Sequence, residues 1–331
     1  MSLTKLTTEI VRWGIIGCGD VTEVKSGPAY RLTKGFELHA VMRRNAVKAE
    51  DYARRHQVPK FYADADELIN DPEVDAVYIA TPPDSHMYYA LKVAEAGKPC
   101  CIEKPMAPNY KESLAIKTAF DVKKLPLFIA YYRRTLPRFT KIKKWLDDGE
   151  IGEIRTVHWT LHKAPSQIDL SQEFNWRTDV KVAPGGYFDD LASHGLDLFN
   201  YLLGDITEAK GFSSNQQKLY SAIDCVTAAW KHKTGITGSG NWNFGTYHRK
   251  DEVIITGSKG AIQFSIFDNA PLVLKNKEGQ LEFDIEHPEH IQLHHVEAIR
   301  DHLFYEDFDH PSKGDSALHT SLVMDKILGN I

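Results

Sequence analysis

Asp190, His194 and Asp197 follow one another at i, i+4 and i+7 in the stretch GGYFDDLASHGLDLFNYLLG, Gly185 to Gly204. At about 100° per helical residue those three side chains fall within roughly 60° of one another. Leu191, Leu198, Phe199 and Leu202 keep the spacing of a separate, core-facing stripe. An Asp-His-Asp stripe can be a solvated face, a metal-ligand set, or an acid–base pair lining a pocket. Solvated faces usually carry Lys and Glu, and neither occurs between Asp190 and Gly204. Short acidic and imidazole groups have little reach, so they suit a site built close to the helix. Gly185 and Gly186 let the backbone turn tightly into it.

A second constellation opens the chain. GIIGCGD places Gly17 and Gly19 directly after the apolar run VRWGII, where a dinucleotide pyrophosphate needs close backbone approach. Thr22 stands where the third small residue of G-x-G-x-x-G belongs, and Ser26-Gly27-Pro28 interrupts the helix that should follow. About 20 residues beyond the glycines, an acid would hold the 2′-hydroxyl of NAD. The chain reads AVMRRN there, with Arg43 and Arg44 in its place. Guanidinium groups pair with a 2′-phosphate that a carboxylate would repel, so NADP is the expected cofactor and NAD the alternative.

The elements that must position these groups alternate. Strand signals lie at Val11–Gly19, Phe36–Met42, Val74–Pro83 and Pro99–Pro105, with helix signals in AVKAEDYARRHQV and SHMYYALKVAEAGK between them. That repetition predicts a doubly wound parallel sheet, a Rossmann domain over residues 1–126. Glu103-Lys104-Pro105 falls at the carboxyl end of a parallel strand, where such sheets bind ligands. Residues 127–331 predict a second, α+β domain. Its strands, EIRTVHWTLH, DCVTAAWKH, ITGSGNWN, DEVIITG and AIQFSIF, alternate as in a mostly antiparallel, open-faced sheet. HPEHIQLHHVEAIRDHL reads as an amphipathic helix near the C-terminus, packing back on the first domain. It lacks the H-E-x-x-H arrangement, and no metal is expected.

Composition sets the frame. The 331 residues fit two domains, and 42% hydrophobic with 26% charged residues is ordinary for a globular protein. A net charge of −5 gives no electrostatic reason for a nucleic-acid or anionic-membrane partner. No apolar run approaches the roughly 18 residues of a membrane span. Cys18, Cys100, Cys101 and Cys225 form no C-x-x-C, and reduced thiols in a cytoplasmic protein are expected. A signal peptide removed upstream of MSLTKLTTEI would leave no trace in the sequence.

Four stretches in this order and spacing, GIIGCG, ATPPDSH (Ala80–His86), AGKPCCIEKP (Ala96–Pro105) and GGYFDDLASHGLD (Gly185–Asp197), resemble the glucose–fructose oxidoreductase / inositol dehydrogenase / MocA family of nicotinamide-dependent oxidoreductases. The resemblance covers nearly the whole chain. It departs at Thr22 and at Pro184, where many relatives have Gly. It implies hydride transfer between nicotinamide and a secondary alcohol or ketone of a sugar or polyol. It also implies that Gly17, Cys18, Gly19, Asp20, Val21, Arg43, Arg44, Thr81, Pro82, His86, Glu103 and Lys104 hold the cofactor. Lys104 would lie near the reacting carbon and share or relay the hydroxyl proton. The helix of Asp190 and His194 would border the substrate. His194 would be the general base in oxidation, because an unperturbed imidazole titrates near neutrality. Asp190 would orient substrate hydroxyls or stabilise the imidazolium, and Asp197 would be a structural acceptor. Tyr132, Arg133, Trp176 and Arg177 are candidates to line a sugar pocket. The family self-associates through the open sheet face, so a homodimer or homotetramer is expected; the apolar and aromatic residues of the strands fit that face, and a flat interior face would look the same. A non-catalytic sugar or dinucleotide sensor and a nicotinamide-dependent glycosidase are the alternative readings.

Overall fold

The computed structural model describes residues 10–171 and 173–331. Chain contacts divide it into two compact units. One runs up to Thr135 and takes in Pro288–Leu318; the other comprises Leu136–His287 and His319–Ile331.

The first unit contains β1 (Val11–Ile16), α1 (Asp20–Val24), α2 (Gly27–Leu32), β2 (Phe36–Met42), α3 (Ala46–His56), β3 (Lys60–Tyr62), α4 (Ala65–Asn70), β4 (Ala76–Ile79), α5 (His86–Glu95), β5 (Cys100–Ile102), α6 (Tyr110–Lys123) and β6 (Leu127–Ile129). Its strands pair in parallel in the order β3-β2-β1-β4-β5-β6. Ile16, Met42, Ile79, Ile102 and Ile129 pack on one face with Leu68, Val93 and Phe120 of α4, α5 and α6. Trp13, Val41, Tyr78 and Phe128 pack on the other with Ala29, Tyr30 and Tyr52 of α2 and α3. Because both faces are covered, the strands read as continuous apolar runs.

The second unit contains α7 (Pro137–Asp147), β7 (Ile154–His162), α8 (Gln167–Ser171), α9 (Ser193–Leu203), β8 (Ile206–Ser214), β9 (Cys225–His232), β10 (Thr237–Asn243), β11 (Lys250–Gly257), β12 (Gly260–Phe264), β13 (Leu272–Asn276) and β14 (Gly279–Phe283). The sheet order is β14-β13-β12-β11-β7-β10-β9-β8, and only β7 and β10 pair in parallel. Among the aromatic residues of these strands, Phe212 of β8 is 78% exposed, whereas the tryptophans face inward. Trp159, Trp230 and Trp242 are buried, Trp159 meeting Trp242 edge-on at 5.4 Å and Phe199 of α9 at 5.8 Å. Gly195 allows this approach: a Cβ there would lie 2.2 Å from the Trp159 ring. On β7 from Thr156 onward, and on β10, the alternate residues are polar. His158 bonds Ser239 at 2.9 Å, and Asn241 donates to Thr227 at 2.6 Å.

After these strands come α10 (Leu293–Phe304) and α11 (Gly314–Leu328). Val296, Ile299 and Leu303 of α10 join the core of the first unit. The boundary expected between residues 126 and 127 falls instead after Thr135. Leu127–Ile129 is an edge strand of the first sheet, with Leu127 in register with Cys100. Three residues are too few for periodicity to reveal a strand.

The regular helix expected through Asp190, His194 and Asp197 is also corrected. Phe188–Ala192 forms a π-helical turn, and the α-helix begins at Ser193. A π turn closes i→i+5, so Asp190 is rotated away from the place a 3.6-residue period assigns it.

Candidate active site

The turn after β1 is built for backbone approach. Gly17 has φ +91°, and a Cβ there would meet Thr81 Cγ2 at 2.7 Å. Its N–H and that of Cys18 both donate to Met42 O, at 2.9 and 3.2 Å. The turn therefore bridges the carboxyl ends of β1, β2 and β4, where the strand order reverses and where sheets of this kind bind dinucleotides. Gly19 caps α1 without a side chain, so the turn fits a pyrophosphate. Thr22 is compatible because its hydroxyl donates inward to Gly19 O at 2.8 Å. The close contact shifts to Gly27, where a Cβ would lie 2.2 Å from Thr22 O. This explains the interrupted helix: α1 ends before Ser26, and α2 restarts at the glycine.

Around this turn, Asp20 is exposed and Val21 half-buried. Cys18 is buried, and burial pushes its thiol up to about 11, so it is not a reactive thiolate. Arg43 donates through Nη1 to Cys18 O at 3.2 Å, which ties the end of β2 to the turn; Arg44 is exposed.

The end of β5 is held from within. Tyr78 donates to Glu103 Oε1 at 2.5 Å, Gln292 Nε2 donates to the same oxygen at 2.6 Å, and the Lys104 N–H donates to Oε2 at 3.2 Å. Glu103 was expected among the cofactor contacts. Its carboxylate is buried and anchors the strand end that carries Lys104.

His86 is held from within in the same way. It is wholly buried, with Nε2 2.8 Å from Thr81 O and Nδ1 3.0 Å from Pro105 O. It clasps the two loops that follow β4 and β5. Burial pushes its pKa down, and the carbonyls around it work the other way. Thr81 is half-buried and accepts from Ser85 Oγ at 2.8 Å, while Pro82 is exposed. Tyr132 and Arg133 begin a buried 3₁₀ turn, with the Arg133 guanidinium 5.0 Å from the Tyr132 ring centre.

In the second unit, Asp190 accepts from Arg177 Nε at 2.8 Å, and the Arg177 guanidinium stacks 4.3 Å from the Trp176 ring centre. Asn175 caps the Arg177 N–H and donates to the Tyr187 hydroxyl at 3.0 Å. That hydroxyl donates to Asp169 at 2.7 Å. His194 is buried, its ring edge-on to Phe267 at 5.8 Å. Asp197 is fully buried and accepts from Thr320 at 3.2 Å, the structural role expected of it.

Sequence reasoning passed over Asp189, although it sits beside Asp190. Its carboxylate accepts from the Gly185 N–H at 2.8 Å, and a Cβ at Gly185 would lie 2.2 Å from its Oδ1. Burial pushes this carboxyl up to about 7. It also passed over Lys163, a single lysine after a strand that only the fold sets near Asp190.

His290 and His294 go separate ways, to Val24 O at 2.7 Å and to Glu297 at 3.1 Å. Ligand atoms of His39, Asp71 and Glu73 come within 4.8 Å of one another, but the Lys60 ammonium donates to both acids and is the cation there. No helix among the described residues is long and apolar enough to cross a membrane.

Known proteins agree with this architecture. The model of an oxidoreductase family with an NAD-binding Rossmann fold matches residues 11–131, and the GFO/IDH/MocA C-terminal domain matches residues 139–263. The chain is similar to Oxidoreductase P35 of Formosa agariphila, 37% identical over 321 residues that span 96% of this chain and 98% of that protein. It is 30% identical over 202 residues to a levoglucosan dehydrogenase of Pseudarthrobacter phenanthrenivorans, covering 61% of this chain and 48% of that one. The fold matches that of an Agrobacterium radiobacter oxidoreductase solved with NAD+, L-tartaric acid and magnesium. The TM-score is 0.82 at 20% identity, over 97% of this chain and 96% of that one. Two family models across most of the chain, and a relative matched nearly end to end, leave one assignment: the chain belongs to the GFO/IDH/MocA oxidoreductases.

Proposed function

We propose that the protein oxidises a secondary alcohol of a sugar or polyol, or reduces the corresponding ketone, and prefers NADP(H) to NAD(H). The observation that carries this reading is Lys104 at the carboxyl end of β5, on a strand end that Glu103 and His86 fix from inside the fold. The bound nicotinamide supplies hydride transfer. The chain supplies the rest. A hydroxyl becoming a carbonyl must shed its proton, and a positioned side chain speeds that step about 10²–10⁴-fold. His194 takes this proton in oxidation and returns it in reduction, with Lys104 sharing or relaying it. Asp190, steadied by Arg177, orients the substrate hydroxyls. Arg43 and Arg44 favour the 2′-phosphate. A relative named for levoglucosan, an anhydrosugar, supports the substrate class. The outer face of the second sheet, with its side-chain ladder at His158, Ser239, Asn241 and Thr227, is assigned to self-association. The test is reduction of NADP+ and NAD+, followed by absorbance across a panel of sugars and polyols. Turnover with at least one, faster with NADP+, is expected; no turnover with any member of the panel overturns the reading.

A further inference from the structure

Lys163 follows β7 by one residue and is half-buried, its Nζ 5.3 Å from the Tyr187 ring centre. The charges of Arg249, Asp190, Asp169 and Arg177 all act on it. Among the described residues, no carboxylate comes within ion-pair distance of its ammonium, because every acid nearby is already engaged. Asp190 takes Arg177 Nε. Asp169 accepts from the Tyr187 hydroxyl on one oxygen, and from the Ser166 N–H and hydroxyl on the other. Arg249 is paired with Asp268. Burial and the charge of Arg249 push the Lys163 pKa down, while Asp190 works against them. An ammonium withdrawn from water without an acid of its own is costly, and an anionic ligand would relieve that cost.

Arg177 offers the second half of the cradle. It gives Nε to Asp190, while Nη1 and Nη2 have no hydrogen-bond partner among the described residues. Stacking on Trp176 fixes the plane of the guanidinium, and a planar fork of this kind binds a carboxylate through two parallel N–H···O bonds. The geometry selects the ligand. The pairs Arg177–Asp190 and Arg249–Asp268 each cancel. Asp169, hydrogen-bonded by three neutral donors, keeps a charge that offsets Lys163. The cluster therefore has no excess positive charge to hold a phosphate dianion, whereas the planar fork of Arg177 suits a carboxylate.

We propose that Lys163 and the Nη edge of Arg177 bind a carboxylate on the substrate, which narrows the substrate class to sugar acids such as uronates and aldonates. This rests on the oxidoreductase reading above. The test is calorimetric titration of the full chain, saturated with NADP+, with D-glucuronate, D-galacturonate and D-gluconate, each against its neutral counterpart D-glucose, D-galactose or D-glucitol. At least one acid should bind tenfold or more tighter than its counterpart. Lys163→Gln should reduce that ratio at least tenfold, and Lys163→Arg should restore most of it. A ratio near one for all three pairs, no binding by any acid, or a ratio unchanged in Lys163→Gln overturns the proposal. Turnover of neutral sugars alone would sink the carboxylate site and leave the oxidoreductase reading standing.

Discussion

Gln292, just ahead of α10, donates through Nε2 to Glu103 Oε1 at 2.6 Å, a buried bond spanning 189 residues of sequence. It couples the segment leading into the C-terminal helix to the strand end that presents Lys104. Tyr78 donates to the same oxygen. Glu103→Ala should therefore strand two buried donors, at about 1–3 kcal/mol each. The measurement is chemical denaturation, with a lowered midpoint expected. Glu103→Gln should keep an acceptor for at least one donor and fall between wild type and Glu103→Ala.

Lys104→Ala and His194→Ala should each lose about 10²–10⁴-fold in turnover while still binding dinucleotide. The cofactor turn at Gly17–Gly19 is held by hydrogen bonds with Met42 O, the Thr22 hydroxyl and Arg43. Steady-state kinetics with calorimetric titration of the cofactor separate the two effects. Near wild-type turnover in His194→Ala would remove it from the proton path.

NADP(H) should bind more tightly than NAD(H), and the two arginines should contribute differently. Arg44 is exposed and makes no hydrogen bond to the turn, so Arg44→Ala should weaken NADP(H) selectively, by about 1–3 kcal/mol. Arg43 also holds Cys18 O, so Arg43→Ala should weaken both cofactors, NADP(H) more. Equal affinities in the wild type would contradict this.

Asp189 sets a pH dependence with a definite sign. Its carboxyl has a folded pKa near 7 against an ordinary value of 3.8. Between those values the folded state keeps a proton that the unfolded state has shed, so this group makes stability fall as pH rises from about 4 to about 7. The buried imidazoles of His86, His232 and His310, all held below their usual value, act in the opposite direction as pH rises. The difference between wild type and Asp189→Asn isolates the carboxyl. The variant should gain melting temperature relative to wild type as pH rises toward 8, and a constant difference across that range would refute the assignment.

Gly195→Ala should destabilise the second unit by about 1–3 kcal/mol or more, because its Cβ would overlap the Trp159 ring. Thermal melts read this directly.

The sequence by itself determined the parallel sheet of the first unit, the dinucleotide turn and the family. Buried parallel strands write continuous apolar runs, and a turn that must admit a phosphate backbone writes its glycines at fixed offsets. Gly17 and Gly19 were legible for that reason. Only the tertiary structure decided what the side chains beside them do. Glu103 and His86 sit inside cofactor-like motifs, yet their polar atoms turn inward to Tyr78, Gln292 and backbone carbonyls. Strand β6 was too short to show a period, and the π turn at Phe188–Ala192 shifted a spacing that assumed 3.6 residues per turn. Lys163 is an ordinary lysine in sequence. Its surroundings are set by residues up to 86 positions away, at Arg249, and burial and unpaired charge exist only once those residues are packed around it.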